Sequence, residues 1–482
     1  MHFKTIFKSF KNKDMLKRIL TILGILVVYR ILANIPVPMG DASTFKDAIT
    51  ALMTQSDFGN FFSLISGNGL SSFSIILVGI SPYITSSIVV QLITKAIPSL
   101  EELSNDGETG RRKINQWTRI ISIPLAISQS IAYIFILYKS VSYYGLAEDF
   151  NPSIMDWVLS IVAMVTGSTI LMWLGELMTE QGIGNGTSMI IFASILTRVP
   201  SLVTTLISGL TDTTDGTLSI WGWINLNVNP EYFWLTVGLA LGVVIVIYFL
   251  VKINEAQRII TVNYAKRVRG NSAYGGVKSI LPLKLISAGV IPVIFATAFL
   301  SVPSLIGQVI TAVNSENTFG ETLTNLFTSP SASNFSTLYP DGLTLQWFVY
   351  PVCYFLLVIL FTYFYTSIIF NTKEIADNLQ KQGGFIEGVR PGLKTADYLG
   401  SIINRLNFFG SFALGLIALL PFIVDLIFIL TDGAPIGLSI SGTGLLIVVT
   451  VALENLRALD SRALMVTYDD YAAEEDEELL AA

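Results

Sequence analysis

Apolar residues dominate this chain in long blocks separated by short polar stretches. Windows close to the ~20 residues that a helix needs to cross a hydrocarbon core fall at 17–35, 118–138, 154–175, 187–208, 232–251, 285–311, 346–370, 404–424 and 438–453. A tenth is shorter. It lies in "GISPYITSSIVVQLIT", Gly79 to Thr94, where Pro82 favours the first helical position. Counted from Pro82 to Ile97 it would be ~24 Å long against a core of ~30 Å, so this helix starts partway across the membrane. The preceding "FGNFFSLISGNGLSSFSIILV", Phe58 to Val78, is too rich in Gly and Ser to face lipid. Non-helical backbone at that depth must be buried in protein or line a watery cavity. Residues of about 58–74 therefore form either a re-entrant, plug-like segment or a loop on the outer face, and the pattern leaves both open.

Composition agrees with the pattern. Of 482 residues, 52% are hydrophobic and only 13% charged, with a mean hydropathy of +0.63; soluble domains carry roughly 25% charge. The predicted class is an all-α polytopic membrane protein. The basic "MHFKTIFKSFKNKDMLKR" leads into the first apolar block without a small-residue cleavage site, so that block is expected to be retained as a span. Segments 1–18, 95–119, 252–284, 372–405 and 457–482 hold 25 of the 29 Lys and Arg residues. Basic residues in short loops stay cytoplasmic. Ten spans put all five segments on that side, and both termini with them.

Ten spans divide into halves of five, 1–215 and 216–456, followed by an acidic tail at 457–482. An odd number per half makes the second enter from the opposite face, so any repeat must be inverted. "GISPYI" (Gly79 to Ile84) and "GVIPVI" (Gly289 to Ile294) both fit G-x-x-P-x-I and stand at the second span of each half. In the short helix Ile80, Ile84 and Ile88 recur every four residues, while Ser81, Thr85, Ser86 and Gln91 supply polar groups. These either line an aqueous path or are packed inside the protein, with hydroxyls bonding their own helix.

Chemistry is limited by what the chain lacks. His2 and Cys353 are the single residues of their types, which argues against disulfides and a His or Cys metal cage; no catalytic, metal or cofactor set is expected. "GIGNG", Gly182 to Gly186, connects two spans and reads as a tight turn rather than a dinucleotide loop. Glu176 and Asp425 lie near span ends, as interfacial residues do. With almost no ionisable groups at mid-depth, the expected chemistry is conduction through an apolar constriction. Segment 252–284 carries seven basic residues and one acid, Glu255. With 372–405 it forms long cytoplasmic loops that suit contact with anionic lipid or a docking platform for a partner such as a ribosome, with no role for DNA.

Longer motifs carry a resemblance: "GISPYITSSIVVQL", "GETGRRKINQWTR", "MWLGELMTEQGIGNGTSMIIFASI", "VNYAKRV", "LPLKLISAGVIPVIFA", "FNTKEIADNLQKQGGFIEGVRPG" and "SGTGLLIVV". In this order they resemble the SecY family of bacterial protein-translocation channel subunits. The resemblance implies ten helices in two inverted five-helix halves around an hourglass pore, with a plug after the first span. Unfolded preproteins would cross, and apolar segments would leave sideways between the second and seventh spans. A pore ring is implied at Ile80, Ile84, Thr187, Ile191, Ile294 and Ile447, and a side gate at Gln91, Ile286 and Ser287. Arg258, Lys266, Arg267, Arg269 and Arg390 would receive the motor ATPase SecA or the ribosome. SecE and SecG subunits, membrane lipid and the bacterial cell membrane complete the implied setting.

Two positions depart from the family. Thr187 replaces an aliphatic ring residue, and Ile286 stands where the side gate has an asparagine. Broken helices and inverted repeats also suit a secondary transporter of small solutes, the alternative reading.

Overall fold

The computed structural model describes residues 13–38, 74–143, 153–197, 218–220, 224–226, 230–313, 318–328, 345–432 and 444–462, apart from 265, 270–271, 276–277 and 287, with a few positions between 199 and 211. The first half contains α1 (Lys13–Leu32), α2 (Ser81–Ala96), α3 (Pro98–Asn105), α4 (Gly107–Tyr143), α5 (Ile154–Glu180) and α6 (Gly186–Leu196). A two-stranded ribbon, β1 (Leu218–Ile220) and β2 (Ile224–Leu226), leads to α7 (Pro230–Glu255). Four strands follow, β3 (Gln257–Tyr264), β4 (Lys266–Arg269), β5 (Ser272–Gly275) and β6 (Lys278–Lys284). The second half continues with α8 (Ile291–Val313), α9 (Thr318–Phe327), α10 (Val349–Ile369), α11 (Thr372–Lys381), β7 (Gly384–Ile386) and α12 (Leu393–Asp432). A last helix, α13, covers 444–462.

Six described helices, α4, α5, α7, α8, α10 and α12, are each long and apolar enough to cross a membrane, and α2 with α3, bent by 110° about Ile97, makes a seventh. The other three windows fall on α1, on the 11-residue α6 and on α13. Helix starts follow local chemistry. Ser153 and Asp156 form a reciprocal capping box before α5, and the Asn185 side chain accepts from the Thr187 amide at the start of α6. One boundary differs from the pattern: the window 285–311 becomes a helix only at Ile291. The seventh span therefore starts late, as the second does, and hydropathy alone could not reveal it because residues 285–290 are themselves mostly apolar.

Two apolar cores divide the membrane-level packing. One gathers Ile22 and Tyr29 of α1, Leu171, Leu174 and Met178 of α5, and Ile190 of α6. The other joins Val293 and Leu300 of α8, Tyr354 and Phe361 of α10, Leu414 of α12 and Val451 of α13. The outward faces of α1 (Leu16, Leu20, Leu23, Val27, Ile31) and α7 (Leu241, Val244, Ile245, Tyr248) are exposed stripes at helical spacing, suited to lipid.

The two long basic segments, expected on the cytoplasmic side, are not open loops. They pair as an antiparallel sheet ordered β6-β3-β7, with Val262 opposite Ile386 and Ile260 opposite Leu281. Ile260, Val262, Leu283 and Ile386 turn inward against Leu399, Ile402 and Ile403 of α12. Burial alternates along β3 as a one-sided sheet requires. The plug segment expected at about 58–74 lies outside the described residues except for Ser74, which bridges to Pro36.

Candidate functional site: the apolar constriction

The two short motifs G-x-x-P-x-I adopt one local design. Gly79 has φ 64° and Gly289 φ 63°, a left-handed conformation that L side chains adopt only with strain. Each glycine stands two residues before a helix, α2 at Ser81 and α8 at Ile291, with a proline in the first turn. There the missing proline N–H costs no hydrogen bond. The Ile84 amide donates to the Ile80 carbonyl, and the Ile294 amide to the Val290 carbonyl, at corresponding positions.

Non-helical chain before α2 is held by α5. Ser168 Oγ donates to the Gly79 carbonyl at 2.9 Å, and a Cβ at Gly167 would overlap the Ile75 carbonyl. The Ile75 amide reaches the Ile35 carbonyl, and Ser160 Oγ donates to that of Pro38. Backbone at membrane depth thus finds partners inside the protein. Sequence reading missed Gly167 and Ser168; the signal available was adjacent small residues within a span, which let a neighbouring backbone approach closely.

The five aliphatic positions implied for the ring are divided between the two cores, and two of them touch both. Ile80, 2% exposed, belongs to the first core; Ile294 and Ile447, 8% and 7% exposed, belong to the second. Ile84 and Ile191 are half-buried and pack against both. Contributions come from α2, α6, α8 and α13, so no single helix closes the site. Thr187 behaves differently. Its hydroxyl donates to Asn185 Oδ1 at 2.7 Å, and its methyl sits 3.4 Å from where a Cβ on Gly175 would lie.

Helix α2 packs against α8, and α8 also meets α4. Beside this seam Gln91 donates to Ser87 Oγ at 2.9 Å, while its carbonyl oxygen is buried with no partner among the described residues. Ile286 is buried in the second core, and Ser287 lies outside the described residues. Ser86 Oγ ties α2 to the Thr118 carbonyl of α4 at 2.6 Å.

"GIGNG" is indeed a turn between α5 and α6. Arg18 donates to the Gln181 carbonyl at 2.8 Å, and Arg462 and Asn455 of α13 lie over Gly182 and Gly184 so closely that a Cβ at either would overlap them. Glu176 is paired with Arg119 at 2.7 Å. Arg258 is exposed on β3; Lys266, Arg267 and Arg269 lie along the β4–β5 hairpin; and Arg390 is exposed at the tip between β7 and α12. Sheet pairing of β3 with β7 thus brings the two basic segments to one side of the protein. Among the described residues no group of three or more His, Cys, Asp or Glu could hold a metal ion.

This arrangement offers an ion no ligands to replace its water shell, while branched side chains can yield to a larger chain. The comparisons point the same way. The SecY family matches residues 74–456. A protein translocase subunit SecY of Corynebacterium glutamicum is 37% identical over 473 residues, covering 96% of this chain and 98% of the relative, and one of Streptomyces galbus is 35% identical over 469 residues, covering 96% and 98%. Among solved structures, one described as a protein conducting channel aligns with a TM-score of 0.60 at 19% identity, covering 91% of this chain and 90% of that one. Sec61 in a canine ribosome-channel complex aligns at a TM-score of 0.54 and 18% identity over 91% and 90%. With a family match over most of its length and relatives of this identity, the chain belongs to the SecY family of translocation channels.

Proposed function

We propose that Ile80, Ile84, Ile191, Ile294 and Ile447 form the seal of this protein-conducting channel, with Thr187 at its margin. The single observation that supports this most is that Ile84 and Ile191 pack on both cores at once, so a shift between the halves acts on the constriction directly. Thr187 spends its hydroxyl on Asn185, which leaves only a methyl to offer an apolar collar. Residues of about 58–74 serve as the outer stopper. The seam between α2 and α8 opens for apolar segments that leave into lipid, with Gln91, Ile286 and Ser287 along it.

The charge distribution supports cytoplasmic termini and a bacterial cell membrane location. Arg258, Lys266, Arg267, Arg269 and Arg390 dock the driving partner, a SecA motor or a ribosome, and SecE and SecG complete the assembly; Sec61 of similar fold is found in a ribosome complex. No nucleotide loop is present in the sequence, so the driving energy is supplied by the partner. Reconstitution with a SecE subunit, motor and ATP tests this. A secretory precursor becomes protease-protected inside the vesicles, and unprotected precursor in an assembly with a working motor contradicts it.

A further inference from the structure

We propose that the cleft between the first turn of α11 and the first turns of α12 is a binding site for the headgroup of an anionic phospholipid. The cleft, of about 540 Å³, is lined by Thr372, Lys373, Asp397, Ser401, Asn404 and Arg405 among others. Its depth follows from the sequence. Helix α10 ends at Ile369, and the apolar window of α12 begins at 404, so Thr372, Lys373 and Arg405 stand where the eighth and ninth spans leave the hydrocarbon.

One face of α12 carries the argument. Asp397, Ser401, Asn404 and Arg405 recur at intervals of three to four residues, and Phe408, Phe409 and Phe412 extend the face into the apolar window. At 1.5 Å per residue the phenylalanines lie ~5–10 Å deeper than Arg405. They are 58%, 65% and 48% exposed. A polar, cationic cleft thus turns into an exposed aromatic stripe within two helical turns, which matches a phosphate above and acyl chains below. Among the described residues no ion pair engages Lys373, Asp397 or Arg405, although all three line the cleft. Two cations outweigh one carboxylate, so the cleft selects an anion. The aromatic stripe selects a lipid over free phosphate.

The test uses the full chain in detergent, titrated with dioleoyl-phosphatidylglycerol, with bound lipid counted by native mass spectrometry. Parallel titrations use dioleoyl-phosphatidylcholine and inorganic phosphate. Each juxtamembrane cation contributes enough attraction that the double variant Lys373→Gln/Arg405→Gln binds phosphatidylglycerol about thirtyfold more weakly, and Lys373→Gln alone about fivefold. The single variant decides the matter if the double one elutes aggregated. Asp397→Asn removes the opposing carboxylate and retains more phosphatidylglycerol than the wild type, a gain that misfolding does not produce. Binding unchanged in the folded cation variants overturns the proposal. So does inorganic phosphate that displaces phosphatidylglycerol at equal concentration, or a Ser401→Cys chain in native membranes that cross-links to a protein segment in place of lipid.

Discussion

Arg457 of α13 donates two hydrogen bonds to Asn254 at the end of α7, from Nη1 to the side-chain Oδ1 at 3.1 Å and from Nη2 to the main-chain carbonyl at 3.0 Å. Asn254 lies three residues before the β3–β6–β7 sheet, which begins at Gln257, and its amide side chain is buried. Ile447 stands on the same helix as Arg457, ~15 Å away at 1.5 Å per residue. The guanidinium fork therefore joins the end of α7, next to the β3–β6–β7 sheet, to the helix that carries Ile447. Arg457→Ala leaves Asn254 buried without its charged donor, and hydrogen bonds to charged groups contribute about 1.5–3 kcal/mol. The expected outcome is a lower thermal unfolding midpoint in detergent. Arg457→Lys does not restore it, because an ammonium cannot reproduce the two-pronged contact; full rescue by lysine counts against the fork.

Lys284, at the end of β6, titrates low. Burial is the main cause, the Arg457 guanidinium adds to it, and the Glu454 carboxylate opposes both, so the ammonium is held below its ordinary value of 10.5. Deprotonation is therefore easier in the folded chain than in the unfolded one. The associated stability is complete above pH 10.5 and is lost as pH falls through the lowered folded value. Against Lys284→Met, the wild type gains relative stability as pH climbs toward 10.5. The effect is small, because the side chain keeps part of its surface in water. Parallel melting curves for the two proteins across that alkaline window contradict the assignment.

Gly289 and Gly167 separate conformational strain from steric overlap. A Cβ at Gly289 meets nothing within 4 Å, so Gly289→Ala tests the left-handed backbone alone and costs about 1–2 kcal/mol. At Gly167 the backbone is helical, but a Cβ meets the Ile75 carbonyl. Gly167→Ala pushes α5 from the chain leading into α2 and raises the resting ion leak of reconstituted vesicles more than Gly289→Ala does. An ion flux equal to that of the wild type removes Gly167 from the account of the seal.

Glu176 distinguishes a channel from charge-coupled exchange. Its pair with Arg119 joins α5 to α4 and is partly exposed to solvent, a setting in which such pairs contribute about 0–1 kcal/mol. Glu176→Gln leaves precursor translocation within about twofold of the wild type, since no proton passes through the pair in this mechanism. Abolished transport in a folded Glu176→Gln protein would restore a relay role for the carboxylate.

Much of the architecture was legible because lipid imposes a simple grammar: apolar blocks of one length, basic residues on one side. Every apolar window overlaps a described helix, and the repeated G-x-x-P-x-I marks two turns of matching backbone. The late start of the seventh span was hidden, since Leu285, Ile286, Ala288 and Val290 are as apolar as the helix they precede. The three-stranded sheet was hidden for another reason. Its strands come from segments more than 100 residues apart, and Val262 finds Ile386 only through long-range pairing. The adjacent small residues Gly167 and Ser168 signalled a close approach, but local pattern did not say that Ser168 would hold the Gly79 carbonyl or that Arg457 would reach Asn254. The aliphatic positions proposed for the seal came from family motifs; which core each of them joins is information that only three dimensions carry.

Ile191 offers the most direct measurement, because it packs against both cores from the short helix α6. Resting channels are reconstituted in planar bilayers without motor or precursor, and ion conductance is recorded for the wild type and for Ile191→Asp, each confirmed monodisperse beforehand. A carboxylate in the collar attracts water and cations, so the account predicts a persistent leak in Ile191→Asp and silence in the wild type. A folded Ile191→Asp channel as silent as the wild type would show that the seal lies elsewhere.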